Sequence, residues 1–253
     1  MREKNVVINL DDIKAGTAEF KKIILMYNSA LKEIETKVNI LSDEFQTLYQ
    51  YNPIEHIKTR IKSPESIVKK LERKGLGITY NNMINHLNDV AGIRIICSFL
   101  PDIYRIVEMF EKSDDLKIME KKDYIKSPKQ SGYSSYHLIV LVPVSFSSGT
   151  VDVKVEIQIR TIAMDFWASL EHKIKYKYEN EVPKNISKEL IACAKMVNQL
   201  DIRMSKLGKN AMQELTDSME QVEKNGDLKL LEKFGKVLLS NKSAKKQKQE
   251  PLS

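Results

Sequence analysis

The chain has 253 residues, of which 42% are hydrophobic and 30% charged, and its formal net charge is +7. That length and apolar content suffice for one domain with a sizeable core and exclude disorder along the whole chain. The excess of Lys and Arg favours anionic partners such as nucleotide, nucleic acid or acidic lipid, because clustered positive charge attracts phosphate.

Cys97 and Cys193 are the only cysteines, and both lie in apolar segments. No Cys/His spacing resembles a zinc site, so neither a structural metal nor a disulfide framework is expected. The first residues, MREKNVVINLDD, lack an apolar signal core, and the longest apolar run, around Leu138 to Val144, is far too short to span a bilayer. The expectation is a cytoplasmic protein without a membrane partner.

From Phe20, apolar residues recur at Ile24, Tyr27, Leu31, Ile34, Val38, Leu41, Phe45 and Leu48, a heptad-like stripe on one long helix. Packing on its own domain and contact with another subunit both fit this stripe, and the first is the expectation. A second helix starts where Ser63 can cap and Pro64 can occupy the first turn, and it stops before Gly75 and Gly77. Ile93 to Phe99 is β-rich, Pro101 to about Lys112 reads as a helix, and Leu116 to Met119 as a short strand. Tyr124 to Tyr133 is a polar loop. Leu138 to Val142 is an apolar strand expected to end at Pro143, and Phe146 to Thr150 forms a hairpin turn.

The clearest strand follows: Val151, Val153, Val155, Ile157 and Ile159 alternate with Asp152, Lys154, Glu156, Gln158 and Arg160, so one face is core and the other polar. Helices are expected over Ile162–Lys175 and Ser187–Leu207, a weaker helix beyond Gly226, and a disordered basic tail in KSAKKQKQEPLS. The fold class expected is α+β, a mixed sheet of about five strands flanked by helices. The expected organisation is a flexible segment 1–16, a long helix 17–52, a catalytic core 53–182, a helical extension 183–225, and a weak helix with tail 226–253.

Four segments carry residues suited to chemistry. In RIKSPESIVKKLERK, Arg60 and Lys62 precede the helix, while Ser66, Lys70 and Arg73 share one of its faces and Ile67 and Leu71 point the other way. Cationic side chains beside a helix start suit a polyphosphate. In HLNDVAGIRIICSF, Asp89 precedes a strand carrying Arg94; a carboxylate there can hold Mg²⁺, which takes one or two carboxylates plus phosphate oxygens. A backbone-bonded turn residue is the plainer reading of Asp89. Arg94, set among aliphatic neighbours, needs a partner. In YIKSPKQSGYSSYH, Lys129, Tyr133 and His137 combine cations with aromatic rings, which can stack a base and hold its phosphates. In VEIQIRT, Glu156, Gln158 and Arg160 form a polar row on one strand face, backed by a buried one.

Taken in this order, the four segments resemble the synthetase domain of the RelA/SpoT family in its small stand-alone form, over about Arg60 to Tyr178. The strings that carry the resemblance are Arg60-x-Lys62 with Ser66 and Lys70, Asp89-x-x-Gly92-x-Arg94, Tyr124 with Lys129, Gly132-Tyr133, Ser135 and His137, and Glu156-x-Gln158-Ile159-Arg160-Thr161. The resemblance implies transfer of the β,γ-pyrophosphate of ATP to the ribose 3′-hydroxyl of GDP or GTP, with Mg²⁺ as cofactor and AMP released. It further implies that Arg60, Lys62, Ser66, Lys70, Arg73 and Arg94 bind ATP. Asp89 and Glu156 would bind the metal, and Glu156 would activate the hydroxyl. Tyr133 would stack on guanine, Lys129 and His137 would lie near the acceptor phosphates, and Gln158 would line the ribose region. Two departures stand out: Ser134 replaces a longer or basic side chain of many relatives, and Asp165 lies where small relatives can carry an amide.

No His is followed by Asp, so the hydrolase metal pair of the long relatives is not matched and hydrolysis is not expected. By the same resemblance a homo-oligomer, with a tetramer favoured, is expected, and the two long helices offer surface for it. RNA binding without catalysis is an alternative, supported by the net charge, KYKYENE and the tail, with secondary RNA binding compatible with synthesis. Asp89 and Glu156 argue against an RNA surface as the main role. A nucleotidyltransferase transferring NMP would use the same carboxylates but release pyrophosphate.

Overall fold

The computed structural model describes residues 10–49, 51–178 and 182–224. The elements in chain order are α1 (Leu10–Tyr49), β1 (Ile54–Ile61), α2 (Pro64–Arg73), α3 (Tyr80–His86), β2 (Ala91–Cys97), α4 (Leu100–Glu111), β3 (Lys117–Asp123), β4 (Tyr136–Phe146), β5 (Gly149–Thr161), α5 (Ile162–Lys177) and α6 (Lys184–Lys224). The strands form one sheet in the order β1-β2-β5-β4-β3. β2 and β5 run parallel and the other neighbours antiparallel, so the sheet is mixed, as the α+β reading expected.

The period-2 pattern of β5 decides the layering. Val153, Val155, Ile157 and Ile159 share a face with Leu138, Val140 and Val142 of β4 and with Ile93 and Ile95 of β2, and all are buried. The same core takes in Ile103, Ile106 and Phe110 of α4 and Tyr27, Leu31, Ile34, Val38 and Phe45 of α1. The middle of the heptad-like stripe of α1 therefore packs inside its own domain, whereas Leu48 at its end is exposed. The opposite face of the sheet is left to the polar partners of the alternation.

Three differences from the sequence reading have physical causes, and a fourth is one of extent. β1 was not anticipated: its buried and half-buried residues Ile54, Ile57 and Ile61 do not alternate, because a bulge at Ile54/His56 shifts the register and this edge strand carries cations on its other face. α3 was missed because seven Asn-rich residues bury only Met83; the Thr79 cap, whose hydroxyl accepts from Asn82 N at 3.1 Å, was its one local signal. β4 continues through Pro143, which is tolerated because β3 pairs with β4 only as far as Leu141 and leaves that side without a neighbour. The first helix begins at Leu10, inside the segment expected to be flexible.

The chain divides into two units, 1–202 and 203–253, and within the second the described residues are the continuation of α6 to Lys224. The weak helix expected beyond Gly226 and the basic tail lie outside the described residues. Among the described residues no helix is long and apolar enough to cross a membrane, and both cysteines are free thiols, Cys97 buried and Cys193 exposed.

Because Ile34 is fully buried in this core, Ile34→Ala is expected to cost about 2–5 kcal/mol. Urea unfolding followed by circular dichroism, at two protein concentrations, checks this. A loss well below that range, or one present only at low concentration, would contradict an intramolecular role for the α1 stripe.

Candidate active site

Local sequence fixes the first half of the site. Ser63 caps α2, its hydroxyl accepting from Ser66 N at 3.3 Å, and Pro64 occupies the first turn. With Ile67 and Leu71 buried, Ser66, Lys70 and Arg73 are carried on the outer side of the helix. Lys70 reaches Asp89 Oδ2 at 2.7 Å, and Lys62, just past the end of β1, reaches the same oxygen at 2.9 Å. Asp89 is thus held by two ammonium groups, in place of the backbone-bonded turn. Burial raises its pKa, but the two lysines outweigh burial and hold the carboxyl below its ordinary value. Its other oxygen, Oδ1, is buried without a hydrogen-bond partner. Arg60 and Arg73 are exposed, and among the described residues neither is in an ion pair.

The polar face of the sheet supplies the second half. Strand register places Arg94 beside Gln158, Gly92 beside Glu156, and His137 beside Gln158. Five side chains then close a ring of hydrogen bonds. Gln158 Nε2 donates to Glu156 Oε2 at 2.8 Å, and His137 Nδ1 lies 3.3 Å from Glu156 Oε1. His137 Nε2 is 2.8 Å from the Tyr133 hydroxyl, and Arg160 Nη2 donates to that hydroxyl at 2.6 Å and to Gln158 Oε1 at 2.8 Å. One tautomer satisfies every member: Tyr133 donates to Nε2, and Nδ1–H donates to Glu156. Burial pushes the Glu156 pKa up and the Asp89 charge adds to that, yet the bonds from His137 and Gln158 prevail and the carboxyl is held below its ordinary value.

Outside the ring, Arg160 Nη1 and Arg94 Nη1 converge on Asp165 Oδ1 at 3.1 and 3.0 Å. Arg94 therefore has the partner its apolar strand demanded, although its Nε is buried and unpaired. Burial, then the nearby charge of Arg160, lowers the Arg94 pKa against the pull of Asp165. Lys129 sits over two rings, 4.5 Å from the Tyr124 centroid and 4.8 Å from that of Tyr133. Its pKa is lowered, first by burial, with Lys122 and Arg160 adding to the effect against the opposing charge of Glu156.

Sequence reasoning placed Arg160 in the polar row and set Asp165 apart as a departure from relatives, but did not pair the two. The signal was present: a guanidinium at the end of a strand whose neighbours are buried needs acceptors, the argument applied to Arg94 alone. His137, expected beside acceptor phosphates, is buried with both ring nitrogens engaged.

A cavity of about 280 Å³ opens between β1 and β2, where Lys58, Arg60, Arg94 and Gln158 surround the gap left by Gly92. A larger one, of about 490 Å³, lies on the apolar side of α2 among residues such as Ile67, Leu71 and Met83, with no charged side chain in its wall. Only the first is matched to phosphate. For a divalent metal, no group of three His, Cys, Asp or Glu side chains comes together among the described residues. Mg²⁺ does not require one, since one or two carboxylates plus phosphate oxygens and water complete its shell. Asp89, with a buried oxygen lacking a partner, and Glu156, close enough for its pKa to feel the Asp89 charge, fit that donor set.

The chain is also similar to known proteins. Residues 59–181 match the family model described as the region found in RelA / SpoT proteins. The GTP pyrophosphokinase YwaC of Bacillus subtilis (strain 168) is 50% identical over 198 residues, covering 78% of this chain and 94% of that protein. Among solved structures, small alarmone synthetase 1 from Bacillus subtilis bound to its product pppGpp superposes with a TM-score of 0.72 at 34% identity, over 76% of this chain and 98% of that one. The same synthetase bound to AMPCPP gives a TM-score of 0.68 at 32% identity, over 78% and 99% of the two chains. The chain belongs to the RelA/SpoT family, and its fold is that of the small alarmone synthetases.

Proposed function

We propose that this chain is a (p)ppGpp synthetase, a GTP pyrophosphokinase that moves the β,γ-pyrophosphate of ATP to the 3′-hydroxyl of GDP or GTP. The relatives named GTP pyrophosphokinase and the pppGpp-bound neighbour support the activity. The observation in the molecule that carries it is the hydrogen-bonded ring, which joins a half-buried carboxylate, Glu156, to an aromatic platform, Tyr133, beside the lysine-held Asp89.

In this reading Arg60, Lys62, Ser66, Lys70, Arg73 and Arg94 hold the triphosphate of ATP. Arg60 and Arg73, in no ion pair among the described residues, meet it directly, while Lys62 and Lys70 lend it positive charge from around Asp89. Tyr133 stacks on guanine, Lys129 meets the acceptor phosphates, and Gln158 lines the ribose. His137 contributes by fixing Tyr133 and Glu156 relative to one another. The 3′-oxygen attacks the β-phosphorus, the bond from that phosphorus to the α–β bridging oxygen breaks, and AMP departs. Glu156, ionised at neutral pH because its carboxyl is held low, takes the hydroxyl proton. Mg²⁺ on Asp89 and Glu156 would offset charge on the transferred group. Positioning and electrostatics dominate such transfers.

We also place the protein in the cytoplasm and propose a homo-oligomer, a tetramer by family analogy. Met196 and Leu200 of α6 and Phe166 of α5 remain exposed and offer apolar surface for it.

Two measurements test these readings. Glu156→Gln keeps the side-chain shape but removes the base, and it is expected to reduce synthesis roughly 10²- to 10⁴-fold; undiminished product from that variant excludes the mechanism. Light scattering coupled to size exclusion is expected to return a multiple of the chain mass, and a monomer alone would exclude the oligomer.

A further inference from the structure

The first part of α6 has two unlike faces. Leu190, Ala194, Val197 and Asp201 recur four, three and four residues apart, the spacing of one helical stripe. Each meets the acceptor side of the site. The Leu190 carbonyl accepts from Trp167 Nε1 at 3.0 Å. Ala194 and Val197 join Trp167, Ala168 and Tyr133 in a small hydrophobic cluster separate from the main core. Asp201 Oδ2 accepts from the Thr161 hydroxyl at 2.6 Å, and that hydroxyl also caps α5 by accepting from Met164 N at 3.1 Å.

The closest approach is at Gly132. Its φ is +88°, in the left-handed region, and it closes the tight turn in which Gly132 N donates to Lys129 O at 2.8 Å and Lys129 N to Tyr133 O at 3.1 Å. A Cβ at this position would stand 2.5 Å from Ala194 Cβ and 3.7 Å from the Trp167 ring. The loop carrying Lys129 and Tyr133 thus rests on α6 with no room for one methyl group.

We infer that α6 is the positioning element of the guanine-nucleotide loop, with Ala194, acting through Gly132, setting where Tyr133 stands. The inference rests on the reading that Tyr133 and Lys129 hold the acceptor. A ring fixed from behind by packing and at its hydroxyl by Arg160 and His137 is preorganised, so less ordering is left to be done when the nucleotide binds. Ala194 acts here only through its contact with Gly132. Its effect belongs to acceptor affinity and not to the ATP side, whose cations come from β1, α2 and β2.

The test is Gly132→Ala in the full chain, alone and combined with Ala194→Gly. The added methyl meets the methyl of residue 194 in the first variant and not in the second, while the left-handed backbone is the same in both, so their difference isolates the seat. Gly132→Ala is expected to raise the KM for GDP about tenfold and leave the KM for ATP unchanged. It is also expected to shift the emission of Trp167, the only tryptophan. Ala194→Gly in that background should return both toward the unaltered protein. Equal rises in the two KM values, or no recovery in the double variant, would overturn the inference. Emission is read without nucleotide, so it decides the seat even if the unaltered protein makes no product, a result that would refute the synthetase reading instead. Should Gly132→Ala fail to fold, Ala194→Val crowds the same spot from the helix side: a GDP-selective rise in KM supports the seat, and unchanged KM values overturn it.

Discussion

A guanidinium buried at the end of a strand has to meet acceptors on every side, and the demand of Arg160 organises this site. With 4% of its surface exposed, Arg160 draws in Asp165 from α5, Gln158 from its own strand, and Ser135 and Tyr133 from the preceding loop. Breaking such a buried arrangement by removing one partner typically costs about 3–5 kcal/mol, because the remaining charges are left uncompensated. The elements that carry these polar groups are therefore tied to one another by the hydrogen bonds and the one ion pair of a single side chain.

That arrangement depends on the two-faced sheet. The aliphatic side of β5 is sealed by α1 and α4, which leaves the other side to carry Glu156, Gln158 and Arg160 at fixed spacing. Neighbouring strands bring His137 and Arg94 alongside, and the antiparallel edge strand β1 delivers Arg60 and Lys62 to the start of α2. The sheet thus holds a cationic flank with Asp89 within it on one side and the Tyr133 ring with Glu156 on the other. Placement of this kind suits a reaction in which orientation and charge supply most of the acceleration.

The sequence made β5, its polar row, the α2 cap and the packed stripe of α1 legible because each obeys a local rule: strict alternation, a Ser-Pro helix start, or recurrence every three or four residues. β1 escaped because a bulge and two polar-facing cations break its alternation, and α3 because it buries one methionine. The cationic pair on Asp89 could not be read either. Asp89 is distant in sequence from Lys62 and Lys70, and only the return of the chain from α2 to β2 brings it within 3 Å of both. The engagement of both His137 nitrogens and the role of Asp165 are likewise products of tertiary packing, invisible to spacing.

Everything in the proposed mechanism turns on intact transfer of pyrophosphate from ATP to a guanine nucleotide. The most direct measurement is to incubate the purified chain with Mg²⁺, ATP labelled at the γ-phosphate, and GDP or GTP, and to resolve the nucleotides. Label is expected in a more highly phosphorylated guanine nucleotide, with AMP formed in equal amount. Free pyrophosphate as the by-product, or no transfer to either acceptor from folded protein, would contradict it.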